Sequence, residues 1–331
     1  MWKLAVLGLA TVLSLALGWS ATAEEKAAEE KKAEDEKPKA EAKLRWVPPK
    51  LENPIIRELD VTGGAKQYDP EKDYIVKLPK DKARTEGVWI EGGRNIVLIG
   101  GVIALPDKPE SPNDDGTRRA IYIKNATGTV HIEGVLFDGE KSGEYDAVAI
   151  NAPKAIVQLQ NLHITALGGS MKFFHGDIVQ PWGGVKELRI DRLTGTTSYQ
   201  GLQINQDSGK IGKEYVSNVN LKGSGQWKLW LTGKEMADQG GYPPTHLEEV
   251  YIEPTTKWGE GKTSLAQSAY PGIDQPKGAK FKEGEKAIHW PELDHVHGEV
   301  KLGPPPGGDF VPAESVGLKY KSPGYAEKAS Q

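Results

Sequence analysis

Short apolar segments with alternating polar residues recur through the middle of the chain. Six of them share a β-branched strand followed by Gly, Asn or Asp and a further apolar residue, and their anchors are Ile99, Ile132, Leu159, Ile190, Leu221 and Ile252. A second series lies between them: Ile121–Ile123, Val148–Ile150, Ile178–Gln180, Leu202–Ile204 and Leu229–Leu231. Strands repeating at a nearly fixed period, with no helical pattern between them, predict a repeat protein built from β-strands.

The predicted fold is all-β, a single-stranded right-handed parallel β-helix in which each turn adds one rung to two or three parallel sheets. In its rung pattern, including His175-Gly-Asp-Ile-Val-Gln180 and Gly184–Asp191, the chain resembles the pectate-lyase-like β-helix superfamily. That resemblance implies a relative of extracellular polysaccharide lyases, hydrolases, epimerases and non-catalytic β-helices. The rungs are expected over about 88–255, with an irregular N-terminal cap at 44–87 and a C-terminal cover at 256–331.

The first 43 residues are not expected to join this fold. Lys3, the apolar run Leu4–Trp19 and the small residues Ala21 to Ala23 indicate a cleavable signal peptide over 1–23, too short for a membrane anchor. Residues 24–43 are almost wholly Ala, Glu and Lys, which favours a solvated, disordered spacer over a tether to the cell wall. A periplasmic or secreted protein without a transmembrane anchor is therefore expected.

Composition narrows the function classes further. The 39 glycines show no period of three, which excludes collagen, and they fall between the predicted strands. The absence of Cys excludes disulfides, thiolate metal sites and cysteine nucleophiles. A net charge of −4 without a Lys/Arg stripe argues against nucleic acid as a partner. A capped solenoid with a polar surface is most simply a monomer.

Alternation in the second series predicts which side chains face solvent. If its apolar residues point inward, the intervening positions gather aromatic, charged and amide side chains on one face. Such a face suits an acidic or neutral polysaccharide, since aromatic rings stack on sugars and polar groups meet hydroxyls and carboxylates. The candidate site residues are Arg118, Tyr122, Tyr145, Asn151, His175, Asp177, Tyr199, Gln203, Asn205, Lys228 and Trp230.

On a uronate polymer this face could catalyse β-elimination. A positive group, Arg118 or Lys228, would neutralise the carboxylate, His175 would remove the C5 proton, and Tyr199 or Tyr145 would protonate the departing O4. Asp177, Trp230, Gln203, Asn205, Tyr122 and Asn151 would bind the substrate. A non-catalytic reading stays open, in which His175 is structural, the tyrosines form an aromatic stack, and the protein is a glycan-binding or envelope scaffold β-helix.

No cofactor is expected. Asp177 and Asp146 could bind Ca²⁺, but two carboxylates supply few of the oxygen ligands that Ca²⁺ takes. The calcium aspartates of pectate lyases and the sequence blocks of polygalacturonases have no counterpart here, so hydrolysis by paired carboxylates is disfavoured. His289, His295 and His297 could seat Zn²⁺ or Cu²⁺, although a solvated loop is favoured. Gln180 and Asn161 are expected to be buried amides.

Overall fold

The computed structural model describes residues 43–106, 118–141, 143–169, 174–204, 209–224, 229–230, 242–255 and 286–325, and these residues are all-β. Within them the only helix is a 3₁₀ turn at Ala313–Ser315, and no helix is long and apolar enough to cross a membrane. The predicted signal peptide and all of the spacer except Lys43 lie outside the described residues. The strands are β1 (Ile55–Glu58), β2 (Gln67–Tyr68), β3 (Tyr74–Lys77), β4 (Val88–Gly92), β5 (Ile96–Ile99), β6 (Val102–Ile103), β7 (Arg119–Lys124), β8 (Thr129–Glu133), β9 (Leu136–Asp138), β10 (Asp146–Leu167), β11 (Val179–Gln180), β12 (Val185–Thr197), β13 (Leu202–Gln203), β14 (Glu214–Gly223), β15 (Leu229–Trp230), β16 (Thr245–Pro254), β17 (Ala287–His289), β18 (Val296–His297) and β19 (Glu299–Leu302).

The strands form two sets of parallel pairs. Sheet 1 pairs β1, β3, β5, β8, the second half of β10, β12, β14 and β16 in that order, with β6 and β9 beside them and β18 and β19 beyond. Sheet 2 pairs β2, β4, β7, the first half of β10, β11, β13 and β15. The pairing of β17 with β19 is antiparallel. The chain therefore passes from sheet 2 to sheet 1 and back, as the alternating strand series predicts.

Sheet 1 bends at one aligned column of residues with left-handed backbone. Gly100, Gly134 and Asn161 occupy it at φ values of 68°, 71° and 52°. Arg192, Asn218 and Glu249 continue it at 58°, 51° and 52°. Glycine adopts this conformation without a Cβ clash and Asn tolerates it, whereas Arg and Glu are unusual there. The bend turns each strand of sheet 1 at the same point, so the strands stay in register.

The register differs from the predicted period in two places. Ile132 pairs with Leu98 rather than with Ile99, whose side chain faces outward. Ile190 pairs with Val216 and not with Leu221, so the predicted anchor at Leu221 was wrong. Val216 and Leu221 are both apolar, so the sequence pattern does not distinguish them. Parallel pairing also begins at β1, well before the predicted start of the rungs at residue 88.

The interior between the sheets is aliphatic. Ile90, Ile121, Ile150, Leu159 and Ile190 are fully buried there. A carboxyl group enters this core at Glu214, which lies beside Thr245 and is fully buried. Burial raises the pKa of Glu214 well above its usual value, so the group is held neutral.

The C-terminal segment crosses the outer face of sheet 1. Its Tyr320 hydroxyl donates to Glu133, and Asn161 donates to that same hydroxyl over 2.8 Å. Glu133 also contacts His131 Nε2 at 2.9 Å, and both side chains are fully buried. At the N-terminal side, Trp46 exchanges two backbone hydrogen bonds with the amide of Gln160. Polar side chains on this face are therefore covered by the chain itself.

Candidate functional site

The outer face of sheet 2 carries one in-register row of side-chain positions. The pairings align Trp89 with Tyr122, Tyr122 with Ala149, and Ala149 with Gln180. Gln203 and Trp230 continue the row by register, although the side chain of Trp230 lies outside the described residues. Because Val179 pairs with the inward Val148 and with Leu202, it is Val179 that points inward and Gln180 that points outward. The predicted orientations of Val179 and Gln180 were therefore wrong, whereas Ile178 is buried in the core as predicted.

Three aromatic rings and one guanidinium group cluster on this row. The rings of Trp89 and Tyr122 meet edge to face at 4.8 Å, and Trp182 stacks on Tyr122 at 6.3 Å and 24°. Arg119 lies 4.7 Å from the Tyr122 ring centre and 5.7 Å from that of Trp182. Tyr122 is buried beneath these neighbours, whereas Trp89, Trp182 and Arg119 remain partly exposed. We call these four residues the aromatic face.

Two carboxyl groups meet at the edge of sheet 2, next to this face. The side chain of Asp146 accepts a 3.1 Å hydrogen bond from the backbone N–H of Asp177, and Arg119 Nε lies 3.6 Å from its other oxygen. Burial raises the pKa of Asp146 to about 6, against the opposing effects of the Asp177 N–H and Arg119. The pKa of Asp177 is raised well above its usual value by burial and by the charge of Asp146.

Asp177 was predicted to project into solvent, but it is fully buried. In the described part of the chain neither of its carboxylate oxygens has a hydrogen-bond partner. Asp177 precedes β11, where strand alternation does not hold, since the next two residues, Ile178 and Val179, both lie in the core. A group placed there cannot contact a polymer directly.

His175 and Tyr199 are brought together as the sequence predicts. Their ring centres lie 5.8 Å apart, with His175 exposed and Tyr199 buried except for a small part of its surface. Partial burial of the imidazole lowers the pKa of His175, which favours the neutral form at pH 7. Burial raises the pKa of Tyr199 to about 12, helped by the charges of Asp177 and Asp146, so its hydroxyl keeps its proton. A neutral base therefore stands beside a protonated acid.

The other predicted site residues are buried, partly exposed or outside the described residues. Tyr145 is fully buried in the hydrophobic core, so its proposed role as an acid is wrong. Gln203 is also buried, whereas Asn151 is half-buried against Gly183, close in sequence to Trp182. Arg118 donates to the Pro106 carbonyl and lies 5.6 Å from the Phe174 ring centre. Lys228 and Asn205 lie outside the described residues.

Sequence reasoning missed Arg119, Trp89 and Trp182. Arg119 shares the parity of the inward Ile121, but it stands at the first position of β7, and its guanidinium group lies over the ring of Tyr122. Trp182 follows β11 directly in Gln180-Pro-Trp-Gly-Gly, a turn signal that would place a large ring at the sheet edge.

The described residues do not fit a calcium site. Asp146 and Asp177 are two buried carboxyl groups with raised pKa, one already bonded to a backbone N–H, whereas Ca²⁺ takes six to eight oxygen ligands. No group of three His, Asp or Glu side chains suited to a metal ion occurs in the part of the chain that the structure describes. The ring of His297 instead lies 4.8 Å from that of His246 on sheet 1, tilted by 33°.

Comparison with protein-family models, curated proteins and solved structures finds no match to this chain. The aromatic face offers partly exposed indole rings and a guanidinium group. Tyr199 interacts electrostatically with Asp146 and Asp177, and His175 lies beside Tyr199.

Proposed function

We propose that this protein is a secreted or periplasmic right-handed parallel β-helix, related to the pectate-lyase-like superfamily, that acts on polysaccharide. The alternation of the chain between two parallel sheets and the aligned bend of sheet 1 support the fold. The predicted signal peptide supports the location. The polysaccharide lies along the outer face of sheet 2.

The observation that carries the proposal is the aromatic face. Partly exposed Trp89 and Trp182 present apolar rings on which sugar rings stack, and Arg119 lies beside them to meet a carboxylate. Lys66, 5.6 Å from the centre of the Trp89 ring, adds a second positive charge. Acidic polysaccharides, above all uronate polymers, therefore fit better than neutral ones.

A second candidate function is β-elimination on the bound uronate, with binding alone as its alternative. His175 removes the C5 proton, electrons move to form the C4–C5 double bond, and the C4–O4 bond breaks. Tyr199 gives its proton to the departing O4. Arg119, rather than Arg118, is the positive group next to Asp146 that would neutralise the substrate carboxylate. The 5.8 Å approach of His175 and Tyr199 favours this reaction.

The test incubates the protein with alginate, polygalacturonate and glycosaminoglycans and follows the ultraviolet absorbance of the unsaturated product. Retention of the protein in gels containing each glycan measures binding separately. Retention that His175→Ala leaves intact, with product formation lost, establishes the lyase. Retention without product leaves a glycan-binding protein. Neither retention nor product with any acidic glycan overturns the proposal.

A further inference from the structure

A cleft of about 810 Å³ opens on the outer face of sheet 1, on the opposite sheet from the aromatic face. Strands β3 and β5 form one side of it, and the segment from Gly317 to Tyr325 forms the other. Its volume lies within the range of small-molecule sites in proteins.

The floor of the cleft is aliphatic. Ile75 and Ile99 are partly exposed on the outer side of sheet 1, with Val97 buried between them. Leu318 faces them from the C-terminal segment with 38% of its surface exposed. Large aliphatic side chains that remain open to solvent in a concave site favour an apolar ligand over a sugar.

The cleft is also positively charged. Four lysines line it: Lys77, Lys80, Lys319 and Lys321. Among the described residues that line it, none is Asp or Glu. The nearest acid of the covering network, Glu133, is buried and already bonded to Tyr320, Ser322 and His131. A ligand with an apolar body and an anionic head would therefore have both of its parts matched.

We infer that this cleft binds a single-chain anionic amphiphile of the fatty-acid class, with the acyl chain on Ile75, Ile99 and Leu318 and the carboxylate among the lysines. An acyl chain fills an aliphatic groove without leaving polar groups unpaired. The exposed ammonium groups of Lys80, Lys319 and Lys321 can meet a carboxylate at the rim without burying a charge. This site is separate from the aromatic face, so the inference does not depend on the proposed polysaccharide function.

The test is displacement of a fluorescent long-chain fatty acid from the full chain. Dodecanoate should displace the probe, and dodecanol should need an about tenfold higher concentration because it lacks the charge. The double variant Lys319→Glu/Lys321→Glu should weaken dodecanoate by a similar factor, whereas Lys154→Glu/Lys186→Glu, two exposed lysines elsewhere, should not. Leu318→Asp should also weaken binding, and because only 38% of Leu318 is exposed, thermal unfolding of this variant checks that the folded state is retained.

Three outcomes would overturn the inference. Equal displacement by dodecanol and dodecanoate would remove the role of the lysines. Unchanged affinity in Lys319→Glu/Lys321→Glu would place the probe elsewhere. Self-association of the chain that is lost in Leu318→Asp, without any binding of the probe, would make a second copy the occupant.

Discussion

The backbone N–H of Asp177 donates a 3.1 Å hydrogen bond to the carboxyl group of Asp146 on the neighbouring strand. Two acids thus meet inside the protein, and Arg119 places a positive charge 3.6 Å from Asp146. Burial without full compensation disfavours ionisation of both groups. We therefore expect the stability of the protein, and the proposed binding of polysaccharide, to depend on pH.

Asp146→Asn should stabilise the protein at neutral pH. The folded pKa of about 6 exceeds the usual 3.8, so the folded state keeps a proton that the unfolded chain releases. Stability from this group is complete below pH 4 and is lost as pH rises towards 6. Asn keeps the acceptor oxygen for the Asp177 N–H and does not ionise. Relative to wild type, the variant should gain about 2–3 kcal/mol between pH 4 and 7 in denaturant unfolding.

Comparing the unfolding free energies of wild type and Asp146→Asn at each pH isolates the contribution of Asp146. The lowered pKa values of His175 and His246 act in the opposite sense, because folding disfavours their charged forms, but they contribute to both proteins. A difference in stability that stays constant across the range would contradict the assignment.

Glu214→Gln should be tolerated where Glu214→Ala is not. Thr245 Oγ1 lies 2.8 Å from both Glu214 and the Pro243 carbonyl, and one hydroxyl proton cannot serve both. A protonated Glu214 solves this by donating to Thr245, which donates to Pro243. Gln can donate in the same way without ionising, so its stability relative to wild type should rise between pH 5 and 8. Ala should cost about 2 kcal/mol by leaving a cavity.

The exposed Glu314→Gln is the matched control for charge removal, and its stability relative to wild type should not change over this pH range. Thermal unfolding at both pH values makes the comparison. If Gln were as damaging as Ala, the protonated hydrogen bond would be wrong.

The all-β architecture and its parallel pairing could be predicted because each strand repeats the same alternation of apolar residues, which must be buried on one side. The register could not, since Ile178 and Val179 are both apolar and both buried, so alternation alone does not decide which faces the interior. Only the neighbouring strand does, by aligning Val179 with Val148.

The candidate site shows the same limit. His175 and Tyr199 were placed together correctly because they belong to adjacent passes of the chain. Tyr145 was misplaced because it precedes β10, where strand parity no longer holds. Arg119 and Trp182 lie at strand ends for the same reason, and their meeting depends on side-chain directions that the sequence pattern does not contain.

Gly134→Ala should destabilise the folded protein by disturbing the packing of the C-terminal segment on sheet 1. Gly134 has φ +71°, and a Cβ there would meet the Tyr320 ring at 2.0 Å. The unfolding free energy should fall by about 2 kcal/mol from backbone strain and the clash. Gly307→Ala, where nothing lies within 4 Å, should leave stability unchanged or slightly raised.

A double-mutant cycle with Tyr320→Ala separates the two causes. If the clash contributes, the combined variant Gly134→Ala/Tyr320→Ala should lose less stability than the sum of the single losses. Strict additivity would show that the Tyr320 ring does not rest on Gly134.

Binding of uronate polymers should strengthen as pH falls from 7 to 5. Asp146, with its pKa of about 6, then becomes neutral and leaves the charge of Arg119 available to a substrate carboxylate. Asp146→Asn should bind tightly at both pH values, and Arg119→Gln weakly at both. Gel retention at constant ionic strength provides the measurement. If retention of Asp146→Asn changed with pH as much as retention of wild type, a group other than Asp146 would cause the pH dependence.

Trp182→Ala should weaken glycan retention by about tenfold, the loss expected for one stacked ring. The matched control is Trp46→Ala, because Trp46 is also partly exposed and packs at 6.1 Å on another aromatic ring, that of Tyr215, but on sheet 1. Thermal unfolding of both variants shows whether the folded state is retained. If Trp46→Ala weakens retention and Trp182→Ala does not, the polysaccharide lies on sheet 1 and the aromatic face is only structural.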